Sequence, residues 1–127
     1  MSRGVADTSV FIAQETGRSL GDLPDEVAIS VVTAAELELG VLRARDASTR
    51  ATRLATLTRV RGTYPLLPID AEVASCFARI AAEELERGRR LRRHDTWIAA
   101  TALAHGAVVI TQDRAFSTFA AVRVSMV

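Results

Sequence analysis

Four carboxylates, Asp7, Glu36, Asp95 and Asp113, each stand beside an apolar run. Asp7 sits between Val5-Ala6 and Val10-Phe11-Ile12. Glu36 precedes Leu37, Leu39 and Val41, Asp95 precedes Trp97-Ile98-Ala99-Ala100, and Asp113 follows Ala107-Val108-Val109-Ile110. Carboxylates brought together repel one another. Either some keep a proton at a raised pKa, or a divalent cation neutralises them. With oxygen ligands and neither Cys nor His, the set selects a hard ion, Mg²⁺ or Mn²⁺, over zinc. Such an ion keeps several waters and binds a substrate phosphate. One or two of them activate water and stabilise the leaving oxygen in phosphodiester cleavage.

Taken singly, the acids have plainer readings. Glu36, three residues after Thr33, fits a capping box. Asp95 fits a helix cap, and Asp113 in Thr-Gln-Asp-Arg fits a turn. Asp7, wedged between a strand and an apolar helix start, needs partners. Their joint placement decides between the readings, and it follows from the elements that carry them.

Val5-Ala6 leads as a short strand into a helix beginning at Val10-Phe11-Ile12, and residues 14–26 read as a loop or short helix with Gly17, Gly21 and Pro24. Residues 27–32 form a second strand, and a helix opens at Thr33. A helix over 48–61 carries Leu54, Leu57 and Val60 on one stripe. Residues 65–69 are a third strand. A long helix capped by Asp70 carries Val73, Phe77, Ile80, Ala81 and Leu85 and ends at Gly88. Asp95 begins a helix that runs to His105 and is closed by Gly106. The strand 107–110, a short helix over 114–120 and a strand over 122–127 complete the chain. This alternation implies an α/β fold, a parallel sheet covered on both faces with right-handed crossovers. Ligands of such sheets bind beyond the carboxyl ends of the strands, near the switch in strand order. Asp7, Glu36 and Asp113 all follow strands. The helix headed by Asp95 returns antiparallel over the sheet, so its start reaches the same rim.

The chain has 127 residues, enough for a single domain over 1–127, and 49% are hydrophobic but only 5% aromatic, so Ala, Val, Leu and Ile must build the core. The net charge of +1 carries no whole-chain nucleic-acid signature. All 16 basic residues are Arg, which excludes any site that needs a lysine. Cys76, the single cysteine, has no internal disulfide partner. With no apolar leader and no run near the roughly 18 residues of a membrane span, the expected setting is the cytoplasm, away from membrane.

Val-Ala-Asp7-Thr8-Ser9-Val-Phe-Ile resembles the opening of PIN domains. Ser-Val-Val-Thr-Ala-Ala-Glu36-Leu-Glu-Leu-Gly resembles their second motif, Asp95-Thr-Trp-Ile-Ala-Ala-Thr-Ala-Leu the third, and Val-Ile-Thr111-Gln-Asp113-Arg-Ala-Phe116 the fourth. The similarity spans nearly the whole chain and is strongest to the VapC toxins of bacterial toxin–antitoxin pairs. It implies a three-layer fold with a central, mostly parallel sheet flanked by helices. It also implies an endoribonuclease dependent on Mg²⁺ or Mn²⁺, usually a homodimer, held inactive by an antitoxin segment laid across the acidic cleft. By this resemblance Asp7, Glu36, Asp95 and Asp113 are the four acids that bind metal and catalyse. Ser9 and Thr111 match hydroxyls that support the acids or their water. Many members carry a further acid where this chain has Ala115. That departure bears on a fifth carboxylate and on a second metal, and leaves the four-acid set intact.

Arg87, Arg89, Arg90, Arg92 and Arg93 lie just before Asp95 and read either as contacts to RNA phosphates or as a solvated helix end. Arg114 reads as a phosphate contact or as the partner of an acid. His94 is a candidate for proton transfer beside Asp95, and His105 for a contact with a helix dipole. Trp97 suits the core or a dimer interface, Glu38 solvent or the cleft, and Cys76 a small buried hydrophobe. Phosphotransfer receivers and haloacid-dehalogenase-type phosphatases also gather acids at strand ends. The first need a lysine and the second a further Asp after Asp7, and neither is present. A PIN-like module that binds RNA or a partner without cutting, and a deoxyribonuclease, remain as alternatives to an RNA-cleaving enzyme.

Overall fold

The computed structural model describes residues 2–127. Strands β1 (Arg3–Ala6), β2 (Glu26–Ser30), β3 (Leu66–Leu67), β4 (Val108–Thr111) and β5 (Val124–Met126) alternate with helices α1 (Thr8–Glu15), α2 (Val31–Leu42), α3 (Ala47–Thr63), α4 (Ala71–Glu86) and α5 (Arg93–Ala104). A short 3-10 helix, Arg114–Thr118, links β4 to β5. The strands form one sheet ordered β3-β2-β1-β4-β5, and every pairing is parallel. The order reverses at β1, where β2 lies on one side and β4 on the other, so the crevice beside β1 is the expected ligand position.

Side chains alternate across a strand, and the sheet uses that alternation to serve two cores. Val5 and Val109 face one layer with Val73, Ile80, Ile98, Phe116 and Phe119. Their neighbours Ala6 and Ile110 face the other, with Val10, Phe11, Ile29, Leu57 and Val60. The helices α4 and α5 cover the first face, and α1, α2 and α3 the second. Gly4 lets β1 pass close to its neighbours: a Cβ there would collide with the Ile110 side chain and lie 2.9 Å from Cγ of Pro24.

Several boundaries differ from those expected. The second strand stops at Ser30, whose hydroxyl accepts from Val32 N at 2.8 Å and caps α2, so Val31 and Val32 are helical. Thr33 is thus inside the helix and fully buried, and the capping box with Glu36 does not form. Glu36 moves to the second turn. The third strand has two residues, since prolines at 65 and 68 bracket it and neither can donate to a ladder. Helix α5 begins at Arg93 with no side-chain cap, so Asp95 is a first-turn residue and not the cap. The last strand shortens to Val124–Met126. Leu54 and Leu85, expected on apolar stripes, are 49% and 57% exposed. Among the described residues no helix is long and apolar enough to cross a membrane.

Candidate active site

Asp7 directly follows β1 and caps α1, with its backbone N–H donating to Ile110 O of β4 at 2.9 Å. Its Oδ1 accepts from Ser9 N at 3.2 Å and from Ser9 Oγ at 2.6 Å. Ser9 Oγ in turn accepts from Gln112 N at 2.9 Å, and Thr111 Oγ1 accepts from Asp113 N at 2.8 Å. The two hydroxyls are 3.3 Å apart. The Ser9 proton is committed to Asp7, so Thr111 is left to donate to Ser9. A directed chain therefore runs from the Asp113 amide through Thr111 and Ser9 to the Asp7 carboxylate. It ties the end of β4 to the start of α1 and fixes two of the four acids to one frame. Polar groups chained in this way reinforce one another.

Asp7 is only 5% exposed. Burial pushes its carboxyl up to about 6, Asp95 adds like charge, and the Ser9 and Thr111 hydroxyls act in the opposite direction. Asp95 is half-buried, and burial raises its carboxyl above the usual range. Asp113 and Glu36 push it further up, while Arg92 and His94 push it down. Asp95 thus stands in the field of the other three acids. Glu36 is held at both oxygens: Thr8 Oγ1 donates to Oε1 at 2.7 Å, and His94 Nδ1 lies 3.4 Å from Oε2. Asp113 is exposed, and its Oδ1 caps the 3-10 helix by accepting from Ala115 N at 2.9 Å. The turn role expected of an isolated Asp113 is therefore real, but it occupies one oxygen.

The acids present an oxygen-only donor set, and two of them are held above their ordinary pKa by burial and like charge, a strain that a cation relieves. Among the described residues no three acids close on one point tightly enough to chelate an ion by themselves. The convergence is thus looser than a protein cage. Mg²⁺ is commonly held by one or two carboxylates, with water completing its octahedron, so the residues suit a water-rich site for a hard ion and not a structural zinc site.

The model of the PIN domain matches residues 5–122 of the chain. The chain belongs to the PIN-domain family. It is 50% identical over 116 residues to "Ribonuclease VapC5" of Mycobacterium tuberculosis, covering 90% of this chain and 85% of that one. "Ribonuclease VapC8" of the same organism is 45% identical over 101 residues, 78% of this chain and 89% of that one. The crystal structure of VapBC-5 from Mycobacterium tuberculosis, a member of the VapBC family of toxin–antitoxin systems, superposes with a TM-score of 0.88 at 45% identity, covering 100% of both chains.

The arginines of this PIN domain divide into two sets. Arg89 and Arg92 are paired within the protein, Arg92 half-buried and Arg89 still exposed. Arg89 pairs with Glu84 at 3.1 Å and donates to Thr118 O at 2.7 Å. Arg92 donates to Thr118 Oγ1 at 2.8 Å, reaches Asp95 Oδ2 at 3.5 Å and lies 4.5 Å over the Phe119 ring. These two guanidiniums bring positive charge to Glu84, which is buried. Arg87, Arg90, Arg93 and Arg114 are exposed. The sequence reading missed Thr8, Glu84 and the contact of His94 with Glu36. Thr8 lies within the first of the four motifs. Glu84 gave no signal in a run of four residues that contains three glutamates. Trp97 stacks on Phe77 at 3.9 Å between ring centroids, which explains its place on an apolar helix. Cys76 is half-buried and free, and His105 ends α5. Glu38 faces solvent.

Proposed function

We propose that this chain is an endoribonuclease dependent on Mg²⁺ or Mn²⁺, and that it acts as the toxin of a toxin–antitoxin pair in the cytoplasm. The observation that carries the chemistry is the position of Asp95, in the field of Asp7, Glu36 and Asp113 at the switch in strand order. The names of the relatives at 50% and 45% identity supply the substrate, RNA, and the VapBC-5 structure supplies the antitoxin as partner. The homodimer rests on the family resemblance.

In this reading Asp7, Glu36, Asp95 and Asp113 line the pocket for the ion, which they would hold together with its waters. When bound, it supplies an activated water and stabilises charge developing on the scissile phosphate. The protein's own part is to orient. Ser9 gives its proton to Asp7 and so serves as a support, not a nucleophile. Thr111 sustains Ser9, and Thr8 with His94 fixes Glu36. Arg90, Arg93 and Arg114 are exposed on the segments carrying Asp95 and Asp113, suited to hold RNA phosphates away from the bond being cut.

The test incubates the purified chain with matched RNA and DNA in Mg²⁺, Mn²⁺ or EDTA, beside Asp95→Asn. Expected are metal-dependent cleavage of RNA, none in EDTA, and none by the variant, whose circular dichroism stays native. Cleavage by Asp95→Asn at the wild-type rate would remove that residue from the site. A preference for DNA would overturn the substrate class.

A further inference from the structure

A fifth carboxylate lies outside the acidic set. Glu84, in the last turn of α4, is only 3% exposed. Arg89 Nη1 lies 3.1 Å from its Oε2 and Arg92 Nη2 3.9 Å from its Oε1, so one buried acid engages two guanidinium groups. Both guanidiniums also reach Thr118, Arg89 at the carbonyl and Arg92 at the hydroxyl. Thr118 ends the 3-10 helix that Asp113 caps, and its hydroxyl donates back to Ala115 O at 2.9 Å. The other arm of Arg92, Nη1, points to Asp95 Oδ2. Three pieces of chain thereby meet at one buried charge: the end of α4, the first turn of α5 with Asp95, and the 3-10 helix with Asp113.

We propose that Glu84 is a positioning residue: through Arg89 and Arg92 it sets where Asp95 stands relative to Asp113, and so tunes the metal site it does not touch. The geometry separates this role from simple closure of the loop after α4. Closure needs only Arg89 and the Thr118 carbonyl, whereas Arg92 splits its two arms between the 3-10 helix and Asp95. Its guanidinium is anchored on Thr118, Glu84 and Phe119 whatever Asp95 does, which makes it a fixed post for one Asp95 oxygen and leaves the other open. Residues that orient ligands from behind in this way commonly affect metal affinity by about 10- to 100-fold when changed.

The inference rests on the metal-site reading above, and the experiment separates the two. Mn²⁺ binding to the full chain is measured by titration calorimetry or electron paramagnetic resonance, alongside thermal unfolding in EDTA. The variants are Glu84→Gln, which keeps shape and loses charge, and Arg92→Gln, which removes the divided arm. Arg3→Ala, which breaks a surface pair with Glu26, is the control. Expected is an Mn²⁺ Kd raised about 10-fold or more in both variants and unchanged in the control. Should Glu84→Gln fail to fold, Arg92→Gln, at a part-exposed site, decides alone. Folded variants that melt earlier but bind Mn²⁺ as the wild type does would reduce Glu84 to a structural role and overturn the proposal alone. A wild-type chain that binds no Mn²⁺ would overturn the metal site, and the clamp's purpose with it.

Discussion

Replacing Asp7 with Asn is expected to stabilise the metal-free protein while removing its activity. The Asp7 carboxyl is raised from 3.8 to about 6, with burial as the largest cause. The native state therefore binds this proton more tightly than the unfolded chain does. The associated stability is full below the unfolded value near pH 4 and is lost as pH rises through about 6. Two units at about 1.4 kcal/mol each put the cost of the buried charge near 3 kcal/mol at neutral pH. Asn keeps the acceptor that caps α1 and takes the Ser9 hydrogen bonds, and it carries no charge. In EDTA at pH 7.5, Asp7→Asn should be more stable than the wild type by about 3 kcal/mol, or roughly 10 °C in melting temperature for a domain of this size. The gap should nearly close at pH 4, where the wild type also holds a neutral side chain. Urea and thermal denaturation at pH 4, 6 and 7.5 measure it. Mg²⁺ at one hundred times Kd should stabilise the wild type by about 2.7 kcal/mol and nearly close the gap, and at one thousand times Kd, with about 4.1 kcal/mol, it should reverse the order. Equal stabilities at pH 7.5 in EDTA, or a gap that does not change with pH, would refute the account of Asp7 as an uncompensated buried charge.

Two other substitutions probe the frame around that charge. Ser9→Ala deletes the hydroxyl 2.6 Å from Asp7 that favours its ionised form, so the Asp7 pKa rises further. The loss of stability with pH in EDTA should then occur at higher pH, and Mn²⁺ affinity should fall about 10-fold. An unmoved midpoint in pH-dependent melts would show that Ser9 does not set it. Gly4→Ala forces a methyl into the Ile110 side chain and against Pro24, an overpacking expected to cost about 1–3 kcal/mol. A urea midpoint equal to the wild type's would mean that the sheet yields at no cost there.

Much of the fold was legible because its signals are local. The apolar run at 107–110 announced β4, the spacing of Val73, Phe77 and Ile80 announced α4, and Asp70 and Gly88 marked its ends. Boundaries failed where one residue type suits both states. Val31 and Val32 extend the strand pattern of β2 without a break, and the Ser30 hydroxyl turning to cap the helix decides that they are helical. Asp95 read as a cap because caps are short polar residues before an apolar run. The chain instead enters the helix at Arg93, with Arg92 and not Asp95 at the cap position, which leaves the carboxylate in the field of the other acids.

The sequence alone determined the inventory: which acids lie near strand ends, the hydroxyls beside them, the hard-ion donor chemistry and the alternating α/β order. Tertiary structure decided who meets whom. It made Asp7 a buried charge, joined Ser9 to Thr111 across 102 positions of chain and paired Arg89 and Arg92 with Glu84. It also drew Glu84 from an acidic run into the interior. Caps and hydrophobic periods are short-range and can be read along the chain. Desolvation and charge pairing depend on which distant surfaces close over a group, and only the packed fold sets that.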